Sequence, residues 1–339
     1  MPDRITIDNR LPEDHRARSL RADATAGLTA DPKSLPPKWF YDAHGSVLFD
    51  RITRLPEYYP TRAERMILRA HAEEIARLSG ARTLVELGSG SSDKTRLLLD
   101  ALTAAGSLKH YAPVDVSEAA LADAADALCR DYPDLRVAAT VTDFEADLAL
   151  PEAGGPRLIA FLGSTLGNFV REQRAAFLAR LRAALTSEGD ALLLGLDLVK
   201  DPKTLVRAYD DDQGVTAAFN KNVLRVLNRE LRAEFDLGAY DHRAVWDPEA
   251  EHIEMRLRAR VAHQVKIPAL DLTVDFGRGE DLRTEISAKF RRETVTEELA
   301  AAGLELAHWW TDPQSRFALL LATPAAAPSL EDPPQPSDA

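Results

Sequence analysis

One cysteine, Cys129, occurs in 339 residues. A lone thiol excludes an intramolecular disulfide and any multi-cysteine metal site, and it points to a reducing compartment. Long hydrophobic runs are missing too, since no stretch of about 18 apolar residues exists to cross a bilayer as a helix. The first twenty residues mix Asp, Glu and Arg without an apolar segment, so no secretory leader is expected and the chain reads as cytoplasmic. Positive charge is in deficit: 42 Lys and Arg face 54 Asp and Glu, a net charge of −12. That balance argues against a nucleic-acid partner or an anionic membrane surface, both of which need clustered cations. The eight histidines make no His-Glu-x-x-His pattern or paired ligand spacing, so no metal is expected. Neither a Gly-x-Ser-x-Gly elbow nor a phosphate-binding P-loop is present. What remains is an ordinary globular composition, 45% hydrophobic and 28% charged, in a chain long enough for two domains.

The stretch that organises this chain is residues 83–94, Thr-Leu-Val-Glu-Leu-Gly-Ser-Gly-Ser-Ser-Asp-Lys. An apolar run breaks at Gly88 and Gly90 and a helix-compatible segment follows Lys94, which reads as strand, tight turn and helix. Such a turn lets backbone approach a ligand, and the next helix presents unpaired N–H groups there. A dinucleotide fingerprint would place a third glycine at position 93, where Asp93 stands. Glu86, opening the turn, suits the amino group of S-adenosylmethionine better than a pyrophosphate.

From Thr83 onward short apolar runs (83–87, 110–116, 136–141, 158–162 and 191–198) alternate with helical segments, the pattern of a parallel sheet covered on both faces. Ligands of such sheets bind at the carboxyl ends of the strands. Gly88 and Gly90, Asp115, Asp143 with Phe144, and the segment from Gly163 to Asn168 all fall there. Asp115 lies close to the offset at which a carboxylate accepts ribose hydroxyls, and Asp143 with Phe144 fits an adenine ring. Together they favour an adenosyl ligand, and the missing glycine favours S-adenosylmethionine over NAD.

Upstream, residues 1–20 are expected to start loosely, with a helix in 13–26. Two proline-bracketed aromatic blocks follow, around Trp39-Phe40-Tyr41 and Tyr58-Tyr59. Thr61 and Glu64 have capping-box spacing, so a helix is expected from there to Gly80. Downstream, 205–234 reads as mostly helical, while 253–261 and 270–276 alternate as two successive antiparallel strands. A helix over 294–302 and strands at 304–309 and 316–321 return the chain to the first sheet, leaving 199–287 as an insertion. Residues 323–339, rich in proline, read as a disordered tail.

Several polar residues carry two readings. Asn168 suits either a ligand contact or a helix cap. Tyr41, Tyr58, Tyr59 and Tyr209 are more simply packing residues. Glu285 and Ser287 share one face if extended, roughly 6–7 Å apart, but Arg283 and Lys289 share it too, which favours a solvated strand face.

Longer motifs add a resemblance. Pro-Lys-Ser-Leu-Pro-Pro-Lys-Trp-Phe-Tyr-Asp from Pro32, Leu-Pro-Glu-Tyr-Tyr-Pro-Thr-Arg from Leu55, Val-Glu-Leu-Gly-Ser-Gly from Val85, Phe-Leu-Gly-Ser-Thr from Phe161, Asp-Leu-Val-Lys-Asp from Asp197, Arg-Ala-Tyr-Asp-Asp from Arg207 and His-Trp-Trp-Thr-Asp-Pro from His308 are all present. With them the chain resembles, over roughly residues 20 to 322, the histidine-specific, S-adenosylmethionine-dependent methyltransferases of ergothioneine biosynthesis. The resemblance implies an α/β fold, a class I methyltransferase (Rossmann-like) doubly wound sheet with an inserted α+β substrate-binding domain. It divides the chain into a methyltransferase domain (61–198 and 288–322) and a substrate-binding domain (15–60 and 199–287). It implies S-adenosylmethionine at Gly88, Lys94, Asp115, Asp143 and Phe144. Histidine would lie against Tyr58, Asn168 and Tyr209, with Phe49 nearby and the imidazole at Glu285 and Ser287. Tyr41 and Asn168 would orient the amine for three successive methylations, giving hercynine. A monomer acting on a small molecule is expected.

Overall fold

The computed structural model describes residues 4–90, 94–145, 148, 150 and 155–326. Thirteen strands occur among them: β1 (Ile5–Asn9), β2 (Thr83–Leu87), β3 (His110–Asp115), β4 (Arg136–Val141), β5 (Arg157–Phe161), β6 (Ala191–Asp197), β7 (Tyr240–Asp247), β8 (His252–Ala259), β9 (His263–Ile267), β10 (Leu272–Phe276), β11 (Asp281–Ala288), β12 (Leu304–Thr311) and β13 (Phe317–Pro324). Eight form one sheet in the order β1-β4-β3-β2-β5-β6-β13-β12. Only β13 runs antiparallel to its neighbours, β6 and β12. The rest is parallel, and the order reverses at β2, where successive strands begin to be added on the other side. This is a doubly wound α/β sheet, as the resemblance implies.

The central strands are apolar along their length because helices cover both faces. On one face Leu84, Tyr111 and Leu158 pack under helices Pro60–Ser79 and Arg96–Ala104 through Ile67, Leu68, Leu98 and Leu102. On the other, Val85, Phe161 and Leu194 meet Phe177 and Leu181 of helix Arg171–Ala184 and Leu299 of helix Arg292–Ala301. Arg157, which opens β5, is buried yet held: Asp190 accepts from its Nη2 at 2.7 Å, its Nε at 3.2 Å and its backbone N–H at 2.8 Å.

A third core joins the N-terminal segment to the insertion. Leu20, Trp39, Phe40, Leu48 and Tyr58 pack with Phe219 and Val223 of helix Val215–Leu231 and with Ile253, Met255 and Leu282 of a three-stranded sheet ordered β11-β8-β7. A separate hairpin, β9-β10, closes that core.

Several expectations need correction. Residues 5–9 are ordered, because Ile5 to Asn9 extend the sheet by pairing in parallel with Val137 to Val141. The expected helix over 205–234 is two, Pro202–Tyr209 and Val215–Leu231. The break lies at Asp211, whose carboxylate accepts from the backbone N–H of Val215 and Thr216, and at Gly214 with φ 69°. The two alternating segments of the insertion do not pair with each other: β8 lies between β11 and β7, and β10 pairs with β9. The disordered tail cannot begin at 323, since β13 continues through Pro324, paired with Leu304. Residues 327–339 and Asp93 lie outside the described residues.

Candidate functional site

At the carboxyl edge of β2 the chain turns through Gly88 (φ 68°) and Gly90 (φ 49°), left-handed conformations that side chains with a Cβ resist. The Phe144 ring lies at ordinary van der Waals distance, 3.8 Å, from where a Cβ on Gly88 would stand. Asp115, at the end of β3, accepts the Gly90 N–H through Oδ2 (3.3 Å) and the Ser117 N–H through Oδ1 (3.1 Å). A carboxylate has about four acceptor positions, so two bonds leave room for ribose hydroxyls. Asp143 follows β4. Its Oδ1 accepts from the Glu145 N–H at 3.0 Å, and its Oδ2 faces His15 Nε2 and Lys38 Nζ, each at 3.8 Å. Phe144 stands edge-on to Phe161 with ring centroids 5.6 Å apart.

Lys94 reaches Glu64 Oε2 at 2.5 Å, and Glu64 Oε1 accepts from the Gly163 N–H at 2.6 Å. Glu64 is therefore no capping-box partner of Thr61; the helix begins at Pro60 and this carboxylate crosslinks two strand ends. Glu86 is also redirected. Its oxygens accept from the Thr95 and Tyr111 hydroxyls, both at 2.5 Å, and it is 3% exposed, so it lies beneath the glycine turn rather than facing a ligand. Burial pushes its carboxyl up to about 7 against those two hydrogen bonds. The buried Ser89 hydroxyl between the glycines has no partner among the described residues. An unpaired polar atom in a cradle next to an incompletely used carboxylate fits an adenosyl ligand.

The second group of residues converges on a cleft. Tyr41 packs edge-on to Phe49 (5.5 Å) and Phe219 (5.4 Å), Phe49 to Tyr58 (6.2 Å), and Tyr58 to Tyr209 (6.3 Å), giving a continuous aromatic wall. Tyr209 ends the helix that Asp201 caps through the Thr204 N–H at 3.0 Å. Burial raises the Tyr58 and Tyr209 hydroxyls above the usual phenol range, so both remain protonated donors. Tyr41 is 44% exposed, so solvent screens its hydroxyl more than theirs.

Glu285 and Ser287 come from β11. The strand buries Ser287 and leaves Glu285 half-buried, and burial pushes the Glu285 carboxyl up to about 7 despite the opposing charge of Lys289. Ser287 Oγ and the Tyr209 hydroxyl are 2.8 Å apart. Asn168 is half-buried at the end of the turn Thr165–Asn168. It caps no helix, because the next one begins at Arg171, where Gln173 Oε1 accepts the Val170 N–H. The turn abuts β11 so closely that a Cβ on Gly167 would stand 2.8 Å from the Ala288 carbonyl oxygen. Asn168 is thus carried beside the strand that bears Ser287.

Sequence reasoning missed what lies behind this wall. Lys289 was expected on a solvated face, but it is 4% exposed and donates to the Tyr209 hydroxyl at 2.9 Å and to Ser287 Oγ at 2.8 Å. It also pairs with Asp197 at 3.0 Å, and Asp197 in turn accepts from Lys200 at 2.6 Å and from Tyr59 at 2.8 Å. Asp197 ends β6, the same strand-end position as Asp115, and that parallel was the available signal.

Residues 20–324 match the family described as histidine-specific, SAM-dependent methyltransferase. Histidine N-alpha-methyltransferase of Mycolicibacterium smegmatis is 56% identical over 318 residues, covering 94% of this chain and 99% of that one. The protein of the same name from Mycobacterium tuberculosis is 55% identical over 319 residues with the same coverage. Ergothioneine biosynthesis protein 1 of Neurospora crassa is 34% identical over 289 residues, covering 83% of this chain and 32% of that one. Both bacterial alignments run through the glycine turn, the aromatic wall and β11 alike, and the chain belongs to the histidine-specific, S-adenosylmethionine-dependent methyltransferases.

Proposed function

We propose that the protein transfers three methyl groups in succession from S-adenosylmethionine to the α-amino nitrogen of L-histidine, giving hercynine on the route to ergothioneine. The observation that carries this reading is the Glu285 carboxylate set in the same aromatic cleft as the Ser287–Tyr209 hydroxyl pair. On this reading the parallel sheet with residues 61–198 and 288–322 holds the cofactor, and 15–60 with 199–287 hold the substrate. The enzyme works as a monomer in the cytoplasm.

Gly88, Lys94, Asp115, Asp143 and Phe144 are the residues assigned to the cofactor. S-adenosylmethionine supplies an electrophilic methyl group on a sulfonium centre. The chain's own contribution is alignment and exclusion of water, which is worth up to ~7–11 kcal/mol in well-oriented systems. A peptide α-amino group has a pKa of about 8, and the neighbouring carboxylate of free histidine raises it further, so the amine must give up a proton on binding before each transfer. Asn168 and Tyr41 orient its lone pair, while Tyr58 and Tyr209 anchor the carboxylate. The wall Tyr41–Phe49–Tyr58 tolerates a quaternary ammonium, since aromatic faces favour cations by ~0.5–2 kcal/mol. Glu285 accepts an imidazole N–H, and a side chain lacking that donor leaves a buried carboxylate unpaired.

Incubation with S-adenosylmethionine and a mixture of amino acids, read by mass spectrometry, tests the reading. Histidine alone should gain one, two and then three methyl masses. Glu285→Ala should lower kcat/KM for histidine about tenfold to a hundredfold while leaving cofactor affinity unchanged, because a charge-assisted hydrogen bond is worth ~1.5–3 kcal/mol. Equal activity of variant and parent on histidine would refute the assignment.

A further inference from the structure

Among groups in direct ion-pair contact, the cluster behind the cleft has more positive than negative charge; Glu285 acts on Lys289 only from farther off. Lys289 Nζ, its side chain fully buried, directs its three protons to Asp197 Oδ2 (3.0 Å), the Tyr209 hydroxyl (2.9 Å) and Ser287 Oγ (2.8 Å). The same Asp197 serves Lys200, whose other acceptors among the described residues are the Tyr59 hydroxyl and the Leu198 carbonyl oxygen. Two ammonium groups therefore share one buried carboxylate. Asp312, the next acid near Lys200, is committed to Arg316 and to the backbone N–H groups of Arg316 and Phe317. Burial lowers Lys200 to about 8 against the pull of Asp197, as expected where negative charge is scarce. A buried excess charge is costly unless something pairs with it.

The hydroxyl pair shows where that partner enters. Two hydroxyls have two protons and four lone pairs between them. Lys289 occupies one lone pair on each, and the Tyr209–Ser287 bond uses one proton and one further lone pair. A single proton is left to point into the cleft, polarised by the ammonium directly behind it. A donor in front and a fixed cation behind suit an anionic oxygen.

We propose that Lys289 is a positioning residue for substrate recognition, acting through the Tyr209 and Ser287 hydroxyls, and that the substrate's α-carboxylate supplies the negative charge missing from the Lys289–Asp197–Lys200 cluster. The inference rests on the amino-acid methylation reading above and names the device that selects a free carboxylate. Lys289 need not touch the substrate. It fixes the direction of the donor and charges the wall.

The test compares L-histidine with L-histidinamide, in which a neutral amide replaces the carboxylate, on the parent enzyme and on Lys289→Met. The parent should have a KM for histidine well below that for the amide. In the variant the KM for histidine should rise about 100-fold with kcat little changed, the order expected for a unit charge acting across one hydroxyl at intermediate dielectric. The KM for histidinamide should move less than about threefold, and Lys289→Arg should restore part of the preference. A general loss of structure would raise both KM values together, so an equal rise for the two substrates overturns the proposal. So does a parent enzyme that takes the amide as readily as histidine. Cofactor binding by calorimetry reports whether Lys289→Met is folded; if it is not, Lys289→Gln, which removes the charge but keeps a donor for the hydroxyls, is compared in the same way. A parent enzyme that methylates neither compound rejects the histidine reading itself, an outcome distinct from equal loss.

Discussion

Glu285→Gln should make the substrate-free protein more stable at pH 8 and leave it unchanged at pH 4. The Glu285 carboxyl rises from 4.5 in the unfolded chain to about 7 in the fold, chiefly through burial. A raised carboxyl binds its proton more tightly when folded, so folding is favoured below the unfolded value and that advantage is lost as pH climbs from about 4.5 to about 7. At ~1.4 kcal/mol per unit, the ionised side chain costs on the order of 1–3 kcal/mol at pH 8, with the lower end expected because the cleft is partly open. Glutamine keeps the shape of the protonated acid and removes the charge, so it removes this cost. Urea unfolding of parent and variant at pH 4, 6 and 8 measures it, and the difference between the two curves cancels Glu86, which titrates in the same window. A difference that is flat with pH, or a variant less stable at pH 8, would show that the cleft does not hold Glu285 at an energetic disadvantage. If Glu285 accepts the imidazole N–H as proposed, the same variant should also lose kcat/KM for histidine.

Asp115→Ala should weaken S-adenosylmethionine binding about tenfold to a hundredfold in calorimetry, since a hydrogen bond to a charged group is worth ~1.5–3 kcal/mol, and unchanged affinity would refute the ribose role. Asp190→Ala leaves the buried Arg157 guanidinium without its carboxylate and should lower stability by ~3–5 kcal/mol, read as an earlier urea midpoint. Because Asp190 lies at the opposite end of the sheet from the glycine turn, KM values of the remaining folded enzyme should not change.

The parallel sheet was legible because a strand buried on both faces is mostly apolar, as β2, β3 and β6 are apart from Glu86 and the residues at their ends. Asp115 and Asp143 were legible for the same reason, as each stands where an apolar run stops. β7 escaped notice because its side chains are mostly half-buried, so Tyr240 to Asp247 lack clean alternation. β1 was hidden in a polar, exposed edge, where backbone pairing to β4 supplies order that side-chain pattern does not announce. Lys289 is the instructive failure. Parity along β11 put it on the same face as Glu285 and Ser287, and charged residues two apart read as solvated. Only the arrival of Asp197 from β6, far away in sequence, turns that face inward. Thr61 and Glu64 failed in the opposite sense: the local spacing was right, but Lys94 and Gly163 outbid the helix end for the carboxylate.

The few residues from Tyr58 to Glu64 have a consequence beyond their separate contacts. Tyr58 belongs to the aromatic wall, Tyr59 is tied to Asp197, and one turn into the helix Glu64 grips Lys94 at the glycine edge. One short piece of backbone, opening the helix at Pro60, therefore acts as a gauge block of fixed length between the aromatic wall and the glycine turn. On the proposed assignment of histidine to the wall and S-adenosylmethionine to the glycine turn, a change anywhere within that span should detune both substrates at once.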